Sequence, residues 1–332
     1  MGGDFAPEIE IKGSIEAALE KSKDIEVILV GKEEVLRNTI NGLNLTLPEN
    51  VTIINAKDVI AMDESPSDSL RNKPESSLSV SIALQKEKKA DASISAGNTG
   101  ANMAHSTYKL GRLNGIGRPT IGTILPSVNK VSLVIDAGAS VDCKPRHLLE
   151  FAVMGSIYMN SIFGVDNPRV GLLSIGEEKS KGNELTFQSY ELLEKSSLNF
   201  IGNVEGSDIL RGNADVFVCD GFIGNIILKF AESILDLLKY KFKAYSELGI
   251  IQKLKTGIVK NVMKESLSDF DYQNYGGVPL LGVNGVSIIG HGKSSSLAIK
   301  NMIFKAEEMV RKEVNKKIEF EISKYLENKI IN

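Results

Sequence analysis

Six short strings rich in glycine and asparagine carry the residues that could do chemistry. They read Met1-Gly-Gly-Asp4, Ser95-Ala-Gly-Asn-Thr-Gly100, Asp136-Ala-Gly-Ala-Ser140, Ile175-Gly-Glu-Glu178 with Lys181-Gly-Asn183, Asp220-Gly-Phe-Ile-Gly-Asn225, and Ile289-Gly-His-Gly292. Loops without bulky side chains let backbone N–H groups close on an anion, and a following helix adds its positive end. A single glycine turn says little. Six of them at corresponding positions point to a phosphate-type ligand.

Other chemistries fit less well. No G-x-G-x-x-G follows the first apolar runs, which speaks against a dinucleotide site. Gly292-Lys293-Ser294 ends like a P-loop, but Ser287 stands where its first glycine belongs. No G-x-S-x-G elbow occurs. Cys143 and His147 are four apart, with Pro145 between them and no further Cys/His cluster, so a structural role is expected. Of the three histidines, His105, His147 and His291, only His291 lies in a glycine-flanked loop. No carboxylate–histidine cluster calls for a metal, and no cofactor is expected.

These loops need strands before them and helices after them. Candidate strands are Ile25–Val30, Val51–Asn55, Ala92–Ile94, Thr120–Leu125, Val131–Ile135, Val170–Ile175, Asn199–Val204, Val216–Cys219 and Val286–Ile289. Helical patterns lie between them at Ser76–Lys88, Pro145–Phe163, Asn183–Glu194 and Asn225–Leu238. Several strands are apolar on both faces, as in a sheet covered on two sides. The alternation predicts a three-layer α/β/α protein with a mostly parallel, mixed sheet, in which ligands bind at the carboxyl ends of strands. A single long amphipathic helix is expected from Ser295 to about Lys329.

Composition narrows the class. The chain has 332 residues, 42% hydrophobic and 24% charged, which suits one α/β unit spanning 1–332. Its net charge of -3 disfavours a nucleic-acid partner. Two cysteines exclude a disulfide scaffold and suit a reducing compartment. No apolar run reaches transmembrane length, and no secretory leader is recognisable.

One segment departs from the rest. From Lys239 to Lys264 there are seven lysines and one acid, with Leu248, Ile251, Leu254, Ile258 and Val262 three or four apart. This predicts a basic amphipathic insertion over 239–270, broken into a helical hairpin near Gly249 and Gly257. The stripe either packs on the core or a dimer partner, or meets an anionic membrane through Leu254, Ile258 and Val262.

Seven strings in order resemble the bacterial phosphate acyltransferase family, the acyl-[acyl-carrier-protein]:phosphate acyltransferases of phospholipid synthesis. They are Met-Gly-Gly-Asp-Phe-Ala-Pro (1–7), Ser-Ala-Gly-Asn-Thr-Gly-Ala (95–101), Gly-Arg-Leu-Asn-Gly-Ile-Gly-Arg-Pro (111–119), Lys-Gly-Asn-Glu-Leu (181–185), Phe-Ile-Gly-Asn-Val-Glu-Gly (200–206), Cys-Asp-Gly-Phe-Ile-Gly-Asn (219–225) and Tyr-Gly-Gly-Val-Pro-Leu-Leu-Gly (275–282). The resemblance covers residues 1 to about 315. It implies a fold related to phosphotransacetylases and isocitrate dehydrogenases. It also implies a homodimer at the inner face of the cell membrane, with acyl carrier protein and inorganic phosphate as partners. In the family a short apolar strand usually precedes Met-Gly-Gly-Asp. Here Met1 is that methionine, so either the start lies upstream or a central strand is missing. Ser140 and Ser174 replace two usual asparagines, so ligand contacts are not expected there.

The implied reaction needs no protein nucleophile, because phosphate attacks the thioester and a thiolate leaves. The protein must position two reactants, neutralise charge and stabilise an oxyanion. The loops at Gly3, Gly97, Asn98, Thr99, Gly100, Asn183 and Gly224–Asn225 suit positioning. Lys181 and Lys229 suit charge; Asn98, Asn225 and His291 suit the oxyanion. Asp4, Asp136 and Asp220 either orient these groups or cap the next helix. Lys181 lies in the Lys-Gly-Asn string that the resemblance places in the active site. Rival readings are a phosphotransacetylase using acyl-CoA, a dehydrogenase of related fold, and a non-catalytic membrane scaffold.

Overall fold

The computed structural model describes residues 1–128, 130–266 and 272–327. The first third runs α1 (Glu8–Glu20), β1 (Val27–Gly31), α2 (Glu33–Gly42), β2 (Val51–Asn55), α3 (Pro66–Asn72), α4 (Ser77–Lys86), β3 (Ala92–Ser95) and α5 (Thr99–Leu110). The middle runs β4 (Thr120–Ser127), β5 (Lys130–Ile135), α6 (Pro145–Phe163), β6 (Val170–Leu173), α7 (Glu184–Glu194), β7 (Phe200–Val204), α8 (Gly206–Arg211) and β8 (Val216–Val218). The last third runs α9 (Gly221–Ser246), α10 (Ile250–Ser266), β9 (Val278–Leu281), β10 (Val286–Ile289), α11 (Ser296–Arg311) and α12 (Val314–Glu327).

Local chemistry sets the helix starts. Ser76, Asn98, Asn183, Asp220 and Ser295 each accept the N–H three residues on and so open α4, α5, α7, α9 and α11. Helix α6 has Pro145 in its first turn and ends on Gly164 in the left-handed conformation. Its apolar side meets Leu133, Ile135 and Val216 in the largest core cluster, together with residues of α1, α7, α11 and α12. On the other face, Ile209 of α8 and Ile227 of α9 pack with Val134 and Phe217, and Met103 of α5 packs with Ile121. A sheet buried on both faces makes three layers.

Eight strands form the main sheet in the order β3-β10-β9-β4-β5-β8-β6-β7. Strand β9 pairs antiparallel with both neighbours, and β4 with β5. The remaining pairs are parallel. Thus β3, β10 and β4 run one way, and β9, β5, β8, β6 and β7 run the other. The mixed, mostly parallel sheet agrees with expectation, but the glycine loops do not all leave from one end. The antiparallel β4–β5 pair is the reason, since it sets the two groups of strands in opposite directions. Strand β9 is the unexpected element, because Gly276, Gly277 and Pro279 look like a loop in the sequence.

Strands β1 and β2 stand apart as a parallel pair. A cavity of about 900 Å³ lies between β1 and β3, lined by residues 24–30 and 89–96 and by α1, α4 and α11. Among the described residues β1 pairs only with β2, and β3 only with β10, so neither has a ladder there on its other edge. Met1 lies between the ends of these strands: a side chain on Gly31 would come within 2.8 Å of its Cγ, and one on Gly97 within 3.8 Å of its carbonyl oxygen. Burial lowers the Met1 ammonium below its ordinary pKa.

Two helical expectations change. The single helix from Ser295 breaks at Glu313, whose φ is 53°, into α11 and α12; residues 328–332 lie outside the described ones. The helix expected at Asn225–Leu238 starts at Gly221 and continues to Ser246, so the basic segment begins inside α9 and turns back as α10. Residues 267–270 of that segment lie outside the described ones. Its stripe does not pack on the protein's own core, since Leu254, Ile258 and Val262 are 65%, 76% and 62% exposed. Among the described residues no helix is long and apolar enough to cross a membrane.

Candidate active site

The loops converge from two opposed halves of the sheet. One wall comes from the ends of β3 and β10. The backbone N–H of Asp4 donates to the Gly292 carbonyl at 2.9 Å, which joins the first loop to the last. A side chain on Gly3 would lie 3.1 Å from the Ala96 carbonyl, so the first loop also touches the third strand's end. Asn98 donates through Nδ2 to the carbonyls of Ala61, Met62 and Glu64 and accepts the Ala101 N–H. Its amide is used up, so Asn98 shapes the loop and is not an oxyanion donor. Thr99 is exposed in the first turn of α5, while a side chain on Gly100 would strike Pro66 at 2.8 Å. His291 is exposed, and its Nδ1 accepts the Lys293 N–H at 3.1 Å, which puts the proton of the neutral ring on Nε2.

The second wall comes from the ends of β5 and β8. Asp136 is fully buried, and its carboxylate accepts the N–H groups of Ile121, Gly138, Ala139 and Ser140 at 3.2, 3.2, 2.9 and 2.6 Å. Burial pushes this carboxyl group up, and the four donors pull it back. Asp136 is therefore the pin of the loop and does not face phosphate. Asp220 caps α9 by accepting the Ile223 N–H, the alternative weighed for it above. Gly224 presses on the loop so closely that a Cβ would lie 1.8 Å from the Asp136 carbonyl oxygen. Asn225 is exposed and lies against Gly138, where a Cβ would come within 2.7 Å of its Nδ2. Lys229, one turn on, is exposed and bonded to Glu232 at 2.9 Å, which ties it to its own helix.

A third group sits beside the second wall, after β6. Ser174 donates its hydroxyl to the Lys181 carbonyl, and Asn203 donates to the carbonyls of Glu178 and Lys181. These bonds close the 174–181 loop and leave the Lys181 side chain exposed. Asn183 accepts from the backbone and hydroxyl of Thr186, a cap and not a ligand contact. Ser140 is buried, with its backbone bonded to Asp136 and Gly221.

The walls share a floor. Met103 of α5, Leu228 of α9, and Ala137 and Ala139 of the pinned loop lie in one apolar cluster with Ile121, Val278, Leu280 and Ile289. The early parts of α5 and α9 thus join in one apolar cluster, and each helix N-terminus offers backbone donors at a positive end. Among the candidate site residues on these loops, Asp4, Thr99, Lys181, Asn183, Asn225 and His291 are exposed. Cys143 is excluded as a nucleophile: its thiol donates to the Ser140 carbonyl, and burial pushes it up to about 12. His147 accepts the Lys144 N–H as a cap and is lowered to about 4, chiefly by burial.

The sequence reading did not single out two residues of this neighbourhood. Arg118 follows the loop that enters β4 and acts electrostatically on Cys143, as Asp136 and Asp220 do. Glu150 is buried on α6 and accepts the Gly117 N–H at 2.7 Å. A lone glutamate among apolar helix residues was the available signal for Glu150.

Comparisons with known proteins agree with this architecture. A family model described as "Fatty acid synthesis protein" matches residues 1–317. A phosphate acyltransferase of Halothermothrix orenii is 52% identical over 331 residues, covering 98% of this chain and 97% of that protein. One from Dictyoglomus turgidum is 46% identical over 324 residues, covering 96% and 94%. Among solved structures, a phosphotransacetylase from Streptococcus pyogenes superposes with a TM-score of 0.61 at 18% identity, covering 92% of each chain. A branched-chain phosphotransacylase from Enterococcus faecalis V583 gives 0.54 at 13% identity, covering 93% and 97%. These two share the fold.

Proposed function

The chain belongs to the phosphate acyltransferase family, an acyltransferase whose acceptor is phosphate, and from that premise we propose that its donor is a fatty acyl thioester of acyl carrier protein. The observation that carries this reading is the apolar cluster in which Met103 of α5 and Leu228 of α9 meet the pinned loop, close to the N-terminus of each helix. Phosphate sits at these backbone donors with the Lys181 ammonium neutralising part of its charge. A phosphate oxygen attacks the thioester carbonyl carbon. The carbonyl oxygen becomes an oxyanion, held by the Asn225 amide and the Nε2–H of His291. The oxyanion collapses, the C–S bond breaks, and thiolate leaves with the electron pair. A thiol of pKa ~8.5 leaves without strong acid help. The products are acyl phosphate and free carrier thiol. Incubation with acyl carrier thioester and phosphate, with hydroxylamine trapping, reads the product as hydroxamate. No hydroxamate from the carrier thioester, with product from acyl-CoA run in parallel, would replace the donor.

The same reading makes the protein a homodimer that works at the inner face of the cell membrane. Phe222, Ile226 and Phe230 of α9 are exposed and suit a second copy of the chain. Leu254, Ile258 and Val262 of α10, with Lys253 and Lys255 beside them, suit an anionic lipid surface. Each apolar side chain at the acyl boundary contributes roughly 1.5–3 kcal/mol at best, and each lysine ~1 kcal/mol. We expect Leu254→Glu with Ile258→Glu to abolish co-sedimentation with anionic vesicles while melting temperature and soluble turnover stay near normal. Unfolding together with lost binding would assign the stripe to a protein contact. Retained binding would place the lipid contact elsewhere.

A further inference from the structure

A cationic surface adjoins the second wall of the cleft, and none of the roles above uses it. Arg112 and Arg118 come from the loop before β4, Lys144 and Arg146 from the start of α6. Arg112 and Arg146 donate to carbonyls of the 115–117 turn that Arg118 follows. A side chain on Gly117 would lie 3.1 Å from the His147 ring, and that ring accepts the Lys144 N–H, so the four gather around His147. Arg112, Arg118 and Lys144 are exposed. Among the described residues none of these three forms an ion pair; Arg146 pairs with the buried Glu150 at 2.7 Å.

The surface is rigid and close to the chemistry. The Glu150 carboxylate holds the N–H of Gly117 and the guanidinium of Arg146. Arg146 also donates to the Gly115 carbonyl at 3.1 Å, and Arg112 donates to the Gly117 carbonyl. Leaving a carboxylate buried to fasten a surface loop is costly unless its bonds are made, and here they are. Lys144 follows the pinned 136–140 loop by four residues, and Arg118 acts on Cys143 next to it. The nearby acids are few. Asp142 is exposed, Asp220 is the α9 cap, and Asp136 is buried. In a chain of net charge -3, this is a local inversion of sign. Val141, three residues before Lys144, is 61% exposed and offers an apolar side chain to a partner.

We propose that Arg112, Arg118 and Lys144, steadied by Arg146 and Glu150 and with the exposed Val141 close to Lys144 in the chain, form the docking face for an acidic protein that carries the acyl thioester. This deepens the donor reading above and rests on it. Charge complementarity at such a rim speeds encounter and fixes orientation more than it tightens the bound state. The carrier would seat beside the cleft and its flexible arm would enter above the floor. The lipid-facing stripe lies on the separate α9–α10 hairpin, so both contacts can be made together.

The test compares three donors in the wild type and in Arg118→Glu with Lys144→Glu: acyl carrier thioester, acyl-CoA, and uncharged acyl-pantetheine. The expected result is a rise of roughly tenfold or more in KM for the carrier thioester, with kcat at saturation and the acyl-pantetheine rate unchanged. The wild type's kcat/KM for the carrier should fall with salt, and the variant's should fall less. Arg118→Lys should restore most of the loss. An equal loss on all three donors would mean a structural role and overturn the docking face, as would an unchanged KM and salt slope. A larger loss with acyl-CoA than with the carrier would assign the cations to a small phosphorylated donor and also overturn it. A wild type inactive with the carrier thioester overturns the donor reading itself, whereas an active wild type with an insensitive variant overturns only the docking face.

Discussion

Gly224→Ala is expected to abolish turnover, by on the order of 1000-fold or more, and to lower the melting temperature. The added Cβ would lie 1.8 Å from the Asp136 carbonyl oxygen, 2.9 Å from its carbonyl carbon and 3.2 Å from the Ala137 Cα. All three are backbone atoms, so no side chain can swing away. The loop cannot yield either. The Asp136 N–H is bonded to Cys219, the Ala137 N–H to Ile121, and the Asp136 carboxylate to four more N–H groups. The first turn of α9 must therefore lift, which moves Asn225 and the helix's positive end away from the cleft. Overpacking of this kind costs ~1–3 kcal/mol or more, and a displacement near 1 Å alone can cost ~100-fold in rate. Gly257→Ala in α10 is the control. Nothing lies within 4 Å of its Cβ, and the helix should gain about 0.5–1 kcal/mol. Thermal melts beside the hydroxylamine assay read both. Wild-type melting and turnover in Gly224→Ala would mean that α9 and the pinned loop are not locked together.

Asn225→Ala and Lys181→Ala should each lose about 100-fold in turnover while remaining folded, the scale of one preorganised donor. Both side chains are exposed, so truncation leaves no buried hole. They should fail differently. Asn225 donates to a charge that exists only in the transition state, so kcat falls and KM for phosphate holds. Lys181 meets phosphate before and during reaction, so KM for phosphate rises as kcat/KM falls. Lys181→Arg should recover part of the binding, since the charge remains. Near-normal turnover in either variant would remove that residue from the site.

Much of this arrangement is legible in the chain. Val51–Asn55 and Val286–Ile289 are strands to the residue, because β-branched runs bounded by turn residues have no competing reading. Strand β9 is not legible. Pro279 removes a ladder donor and two glycines precede it, so local chemistry argues against the strand that sheet burial imposes. Missing it hides the strand that joins β10 to β4, while the change of direction that places the loops comes from the antiparallel β4–β5 pair. Residue types at the site are legible as well, but their roles are not. Asn98 reads like a donor until its partners are known, and those carbonyls lie 34 to 37 residues away. Asp136 reads like a ligand residue until burial and four backbone bonds commit it to the loop. Hydrogen-bond saturation belongs to the folded chain, and no spacing rule carries it.

The cavity beside β1 divides the molecule's cooperativity. Strands β1 and β2 share no backbone ladder with the main sheet. Their connection runs through side chains, with α1 packed on α11 and Ile11, Ile15 and Leu29 in a small cluster of their own. Such a lobe opens by losing apolar contacts, the Lys21–Glu307 and Lys300–Glu20 ion pairs and the Asp4–Gly292 bond, without breaking the main sheet's ladders, so it can open below the temperature at which the core melts. Amide hydrogens on the cavity edges of β1 and β3 would then exchange early, ahead of those between β5 and β8. The loop carrying Gly3 and Asp4 belongs to that lobe's first residues, so one wall of the cleft is held at the least protected end of the fold.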